Sequence, residues 1–170
     1  LARNFASEAP NRKWATDVTQ INIGSVKLYL SPILDMFNGE IISYNISRSP
    51  NMEQVYDMLD KAFAKFDRLE GLILHSDQGW QYQHLGYRKR LAEHHIIQSM
   101  SRKGNCLDNA MAENFFGIMK SELLYAEVFE SPETFIRALE EYIEYYNNKR
   151  IKSRLKGKSP VQYRTLSING

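Results

Sequence analysis

Three acidic residues have types and spacing that suit metal-dependent phosphoryl transfer. Asp17 lies in a stretch rich in Thr, Val and Ile, Asp77 follows a short apolar run, and Glu113 lies near the start of a predicted helix, with 59 and 35 residues in the two intervals. Three close carboxylates repel one another, and a divalent cation removes that conflict. Mg²⁺ prefers a few carboxylate oxygens and takes further ligands from water and substrate phosphates. Two such ions about 4 Å apart can hold the attacking and leaving oxygens of an in-line displacement.

Spacing alone leaves a structural explanation open for each acid. Asp17 could be a hydrogen-bonded polar group of the core, Asp77 a turn residue, and Glu113 an acid favoured by the helix dipole. Because the chain has 20 acidic residues, some trio fits any chosen spacing. The local motifs must therefore decide.

The elements that would position these acids follow from periodicity and turn signals. Three antiparallel strands are predicted at Trp14–Ile23, Lys27–Asp35 and Glu40–Ser47, with a hairpin at Asn38-Gly39. Helices and strands then alternate: a helix capped by Asn51, a strand at 72–75, a helix at 87–95 and a strand at 96–100. Two further helices are predicted, one from Asp108 or Asn109 to about Leu124 and one that begins at Ser131-Pro132. This order predicts an α/β fold with a mixed five-stranded sheet, three strands antiparallel and then two parallel, flanked by helices.

Size and composition indicate one globular domain. The chain has 170 residues, of which 43% are apolar and 25% charged. No apolar run is long enough to cross a membrane, and we expect no membrane partner. The single cysteine, Cys106, excludes an internal disulfide framework and multi-cysteine zinc patterns, which favours a reducing cytoplasm. Since residue 1 is Leu, we expect the chain to be a piece of a longer polypeptide.

Charge is distributed unevenly along the chain. The formal net charge is only +2, but Tyr145–Gly170 contains seven basic residues and no acidic one. A basic terminal segment indicates a polyanionic partner, with a solvated tail as the alternative.

Four blocks of sequence resemble a known family. They are Trp14–Thr19 (WATDVT), His75–Tyr82 (HSDQGWQY), Gln98–Phe116 (QSMSRKGNCLDNAMAENFF), and a C-terminal block of Tyr146-Asn147-Asn148, Arg150 and Ser159–Arg164 (SPVQYR). Together they closely resemble the catalytic core of bacterial insertion-sequence transposases of the OrfB type, relatives of retroviral integrases. The resemblance covers nearly the whole chain, and the D-D-E order with 35 residues in the last interval matches the family signature. It implies a ribonuclease H-like fold.

The resemblance also implies an activity and its site. Asp17, Asp77 and Glu113 would be the catalytic residues and the metal ligands, with Asp17 bridging two Mg²⁺ or Mn²⁺ ions when DNA is bound. The reaction would cleave element ends and join the 3′-hydroxyl to target DNA, with no small-molecule cofactor. A nuclease of the same fold that only hydrolyses, and an inactive DNA-binding remnant, are the alternatives.

The same resemblance divides the chain and suggests its partners. Residues 1–13 would be an N-terminal lead-in, 14–146 the integrase-like catalytic core and 147–170 a basic C-terminal extension. The partners would be element-end and target DNA, and the protein would act in the bacterial cytoplasm as a homodimer or higher multimer.

Several basic and aromatic residues are candidates for DNA contact. Lys120, seven positions after Glu113, is expected on the same helix face and resembles a DNA-holding residue of the family. Further phosphate contacts are predicted, with solvated side chains as the alternative, for Arg102, Lys103, Lys149, Arg150, Lys152 and Arg154. Trp80 and Tyr82 could stack on a splayed base, but core packing is the preferred interpretation for both.

Overall fold

A mixed sheet forms the centre of the molecule in a computed structural model of the chain, which describes residues 7–101 and 109–169. The strands are β1 (Lys13–Thr16), β2 (Thr19–Ile23), β3 (Val26–Asp35), β4 (Ile41–Ser47), β5 (Ile73–Ser76) and β6 (Ile97–Met100). The helices are α1 (Met52–Phe63), α2 (Trp80–Gln83), α3 (Leu85–Glu93), α4 (Ala110–Met119), α5 (Pro132–Asn148) and α6 (Pro160–Asn169). A π-helical turn, Lys120–Leu124, continues α4, and a 3₁₀ turn, Ser153–Leu155, precedes α6.

The sheet combines antiparallel and parallel strands as the sequence predicts. β3 pairs antiparallel with β4, β1 and β2, whereas β5 pairs parallel with both β1 and β6. The parallel arrangement matters for function because the carboxyl ends of β1 and β5 then lie at the same edge.

The predicted first strand is divided into β1 and β2, so the sheet has six strands among the described residues where five were expected. Thr16 pairs with Ile33 and Thr19 with Leu30, so both pieces keep one register along β3. That register places Asp17 opposite Pro32, which has no amide hydrogen to donate. The ladder therefore breaks at Asp17, and its carboxylate accepts a hydrogen bond from the Val18 amide at 2.8 Å.

Helices cover both faces of the sheet and bury two apolar clusters. On one face α4 and α5 pack against the sheet, with buried residues that include Leu28, Leu30, Leu34, Phe115, Phe135, Leu139 and Tyr146. On the other face α1 and α3 pack against the sheet, with buried residues that include Trp14, Ile33, Val55, Met58, Leu59, Leu74 and Tyr87. The buried residues of α5 recur at helical spacing and include Phe135, Leu139, Tyr142 and Tyr146.

Several predicted element boundaries are confirmed by their hydrogen bonds. Asn51 and Ser131 accept from the Gln54 and Thr134 amides as N-caps of α1 and α5. The hairpin turns at Gly39, whose φ of +78° lies in the region that favours glycine. No sequence signal predicts α2, which has only four residues and no apolar period.

The C-terminal segment packs against the β3–β4 hairpin. Asn38 donates to the Pro160 carbonyl at 2.8 Å, and Arg164 pairs with Glu40 at 2.7 Å. Phe37 contacts the Tyr163 ring at a centroid distance of 5.3 Å. None of the helices formed by the described residues combines the length and hydrophobicity needed to cross a membrane.

Candidate active site

Asp17 and Asp77 lie side by side at one edge of the sheet. β1 and β5 are parallel neighbours in which Ala15 pairs with His75. Each acid is two residues beyond that pair, directly after the end of its strand. Two carboxylates that the sequence separates by 59 residues are therefore held at the same level by backbone pairing.

Glu113 reaches the same place from α4. Asn109 lies at the start of this helix and donates from its side chain to the Thr16 carbonyl, at 3.2 Å, which ties the helix to the end of β1. Ala112 and Phe115 are buried against the sheet. Glu113, in the first turn and exposed, shares a hydrogen bond with the Asp17 carboxyl group.

Asp17 interacts with both of the other acids and is strongly perturbed by its surroundings. Its side chain is enclosed, since the residue is only 9% exposed. Burial, followed by repulsion from Asp77 and Glu113, raises the pKa of Asp17 to about 8, although the hydrogen bond from the Val18 amide opposes the shift. The metal-free protein therefore keeps a proton on Asp17 at neutral pH.

The donor set fits a hard divalent cation. All three groups are carboxylates, and burial together with repulsion from the other two acids raises the pKa of Asp17, a conflict that a bound cation would relieve. No three acidic, histidine or cysteine side chains within residues 7–101 and 109–169 lie close enough to form a ready-made metal cluster. Asp17 interacts with each of the other two acids in turn, so the residues fit a metal that takes part of its shell from a substrate.

The loop after β5 shapes the site around Asp77. The Gly79 amide donates to the Asp77 carboxylate at 2.7 Å. A Cβ at Gly79 would lie only 2.9 Å from the same oxygen, so any side chain there would displace Asp77. A cavity of about 260 Å³ opens beside this loop and is lined by Asp17, Asp77 and Tyr82 among others. Residue spacing did not single out Gly79, although it belongs to the His75–Tyr82 motif.

The two aromatic residues after Asp77 differ in their surroundings. Tyr82 is buried, as the sequence favoured, and forms an edge-to-face contact with Tyr87. The preferred core interpretation of Trp80 is wrong, because this side chain is 56% exposed. Trp80 begins a four-residue helix whose buried members are Gln81 and Tyr82.

Of the three basic residues predicted to contact DNA closest to the acids, the structure describes one. Lys120 donates to the Thr19 hydroxyl at 3.1 Å, so its amine lies at the start of β2, two residues from Asp17 along the chain. Arg102 and Lys103 lie outside the described residues.

The basic residues after α5 have different environments. Lys149 is exposed. Arg150 forms a bidentate pair with Glu122, at 2.8 and 2.7 Å, and is thus partly neutralised. The Lys152 amine donates to the Tyr146 hydroxyl, and burial, followed by the charges of nearby arginines, lowers the pKa of Lys152 to about 8. Arg154 is exposed.

Comparison with protein families finds one type of domain across most of the chain. The integrase core domain is matched in two parts, at residues 7–106 and 113–168. An uncharacterized transposase-like protein of Haemophilus influenzae is 54% identical over 99% of this chain and 78% of its own length. The putative transposase InsK for insertion sequence element IS150 of Escherichia coli is 53% identical, over 96% of this chain. The chain spans only 58% of that relative.

Solved structures confirm the predicted fold class. The HTLV-2 integrase catalytic core domain in complex with magnesium superposes with a TM-score of 0.73, covering 93% of this chain and 99% of that one. A chain of the simian T-cell lymphotropic virus intasome in complex with PP2A regulatory subunit B56 gamma gives a TM-score of 0.78 over 94% of this chain and 56% of that one. Sequence identities of 19% and 18% make this a likeness of fold alone.

Proposed function

Since the chain belongs to the integrase core domain family, we propose that it is the catalytic core of an insertion-sequence transposase that cleaves element ends and joins them to target DNA. One observation carries the proposal. Asp17 and Asp77 follow adjacent parallel strands at the same level, and Glu113 hydrogen-bonds with Asp17 from a helix tied to β1. The transposase names of the relatives support DNA as the substrate.

Asp17, Asp77 and Glu113 would hold Mg²⁺ or Mn²⁺, with two ions when DNA is bound. The bound metal would supply Lewis-acid stabilisation of the phosphate charge and favour ionisation of the attacking hydroxyl. The magnesium in the HTLV-2 integrase core supports this choice of ion. Asp17 must lose its proton to act as a ligand, and Asp77 is oriented by the Gly79 amide. Water would attack in cleavage and a DNA 3′-hydroxyl in joining, so no covalent link to protein is needed.

Basic side chains would position the DNA backbone against these acids. Lys120 is the best placed of the described candidates, because its amine lies beside the start of β2. Arg102, Lys103 and Lys149 remain predictions, and Arg150 is a weaker candidate because Glu122 occupies its guanidinium. Dimeric and trimeric forms of the HTLV-2 core support a multimer. We place the reaction in the bacterial cytoplasm, where the element's DNA resides.

A strand-transfer assay tests the proposal. The chain is incubated with Mg²⁺ or Mn²⁺, a duplex bearing the ends of its own element, and a target plasmid. Joined products are expected from the wild type and none from Asp17→Asn, Asp77→Asn or Glu113→Gln, each of which should still shift DNA in a gel.

Asp67→Asn is the matched control, because Asp67 is an exposed acid away from the site. Nicks without joined products would instead indicate a nuclease. DNA shifts with neither product would indicate a binding remnant. Full activity in one triad variant would remove that residue from the site.

A further inference from the structure

The positive charges of the C-terminal segment differ in whether an acid faces them. Arg150 pairs with Glu122, and Arg164 pairs with Glu40. Within the described ranges no carboxylate lies at ion-pair distance from Lys152 or Arg154. Among the described residues, the acids of this region thus pair with the other two arginines, and Glu122 acts on Lys152 only from beyond ion-pair distance.

These two cations meet above the glycine of the β3–β4 hairpin. A Cβ built on Gly39 would lie 3.2 Å from Arg154 Nη2, 3.4 Å from Lys152 Nζ and 3.8 Å from the Tyr146 hydroxyl. The side chains of Arg154 and Lys152 thus lie together with the Tyr146 hydroxyl against the Gly39 backbone, closer than a side chain at position 39 would allow. We call this group of Gly39, Tyr146, Lys152 and Arg154 the hairpin cradle.

The segment that presents the cradle is held in place by its own contacts. The Lys152 amide donates to the Lys158 carbonyl at 3.1 Å, which closes a short loop. Leu155, at the centre of that loop, is buried. The hydrogen bond from Asn38 to the Pro160 carbonyl fixes the hairpin turn to the next helix. The donors are therefore positioned before any ligand arrives, which lowers the entropic cost of binding.

Two like charges held together without an acid favour an anion. The Lys152 amine is half-buried, 4.5 Å from the centre of the Tyr146 ring, and the charge of Arg154 opposes its protonation. An anion with several acceptor oxygens would satisfy both cations and the hydroxyl at once. Of the common biological anions, a phosphate group matches this number of donors.

We propose that the hairpin cradle binds one phosphodiester of the DNA backbone. The proposal rests on the proposed function and adds a specific contact point to it. Arg154 Nη2 lies 3.6 Å from the sulfur of Met111, in the first turn of α4, the turn that also includes Glu113. A strand held by the cradle would thus pass beside the helix that presents the catalytic glutamate.

Salt-dependent DNA binding tests this contact separately from catalysis. Binding of a fluorescent duplex is measured by anisotropy in EDTA over a series of salt concentrations. Lys152→Met keeps most of the stem that packs on Tyr146 but removes the charge, and Arg154→Gln is the second variant. Lys156→Met is the matched control, since Lys156 is an exposed lysine of the same loop outside the cradle.

Each cradle variant should lower the slope of log affinity against log salt by about 1, the value for one lost phosphate contact. Lys156→Met should leave the slope near that of the wild type. In a second measurement, NMR of the Lys152 Cε resonance should show a higher pKa for Lys152 when DNA is added, and a smaller rise with inorganic phosphate.

Unchanged slopes in both cradle variants, in proteins that still join DNA, would overturn the cradle and leave the proposed function standing. A wild-type protein that neither binds nor joins DNA would overturn both. A Lys152 resonance that responds to phosphate but not to DNA would indicate a free-anion site and overturn the assignment to the DNA backbone.

Discussion

Removing the charge of Asp17 should stabilise the metal-free protein at alkaline pH while it abolishes catalysis. In Asp17→Asn the amide oxygen can still accept the Val18 hydrogen bond, so the local backbone is preserved. The variant lacks only the carboxylate that burial and the two neighbouring acids disfavour. A residue that is costly to stability but required for activity is typical of a functional site.

The size of the effect follows from the shift in pKa. Unfolded Asp17 ionises near the ordinary aspartate pKa of 3.8, whereas in the folded protein its pKa is about 8. Between these values the unfolded chain has released a proton that the folded protein keeps, so the free energy of unfolding falls as pH rises. The fall is about 1.4 kcal/mol per pH unit, or about 2 to 3 kcal/mol between pH 6 and pH 8.

This pH range separates Asp17 from the other buried aspartate. Burial also raises the pKa of Asp35, but only to about 6, because its carboxylate accepts hydrogen bonds from two backbone amides. The stability that protonated Asp35 contributes is therefore lost mainly as the pH rises from 3.8 to about 6, below the range from pH 6 to pH 8. All other titratable groups are common to wild type and variant, so the difference between the two proteins isolates Asp17.

Urea denaturation in EDTA at pH 6 and pH 8 measures the effect. The wild type should lose about 2 to 3 kcal/mol more than Asp17→Asn between the two pH values. Excess Mg²⁺ should raise the stability of the wild type more than that of the variant. Asp67→Asn, the exposed control, should follow the wild type. Equal pH dependence in wild type and Asp17→Asn would refute the reasoning, because Asp17 would then be ionised without cost in the folded protein.

Two further predictions concern how the site and its flanking segment are held. Gly79→Ala should lower the joining rate at least tenfold in a protein of normal circular dichroism, because the new Cβ would lie 2.9 Å from an Asp77 carboxylate oxygen. Gly117→Ala is the control and should retain activity, because nothing lies within 4 Å of a Cβ at that position. Equal joining rates in the two variants would contradict this role of Gly79. Arg150→Lys should cost about 1 kcal/mol of unfolding free energy, since the bidentate pair with Glu122 is lost at a partly exposed position. A double-mutant cycle with Glu122→Gln should show coupling, and strictly additive effects would mean that the pair contributes nothing.

The arrangement of the acids was predictable because local patterns determine the elements that position them. Asp77 follows an apolar strand, and Glu113 lies in a helix whose buried face includes Ala112 and Phe115. Parallel pairing of two strands then brings their carboxyl ends to one edge. The break after β1 depends on a partner, Pro32, that lies opposite Asp17 only once the register is known.

Other features depend on tertiary contacts, which neither the number of charged residues nor the spacing of apolar residues reveals. The basic residues after α5 look equivalent in the sequence, yet Arg150 is neutralised by Glu122, 28 positions away along the chain. Gly39 was expected only as a turn residue, but it also leaves space for Lys152 and Arg154. The exposure of Trp80 was missed because a four-residue helix has no apolar period to show which side faces the core.

Locating Mn²⁺ bound to the protein tests the central claim most directly, namely that these carboxylates hold a metal for phosphoryl transfer. Crystals of the chain with element-end DNA are soaked in Mn²⁺, and anomalous density is measured. Manganese is expected within direct coordination distance of carboxylate oxygens of Asp17 and Asp77, with Glu113 as a further ligand when DNA is present. Manganese bound only elsewhere, or no anomalous density at the three acids with DNA in place, would contradict it.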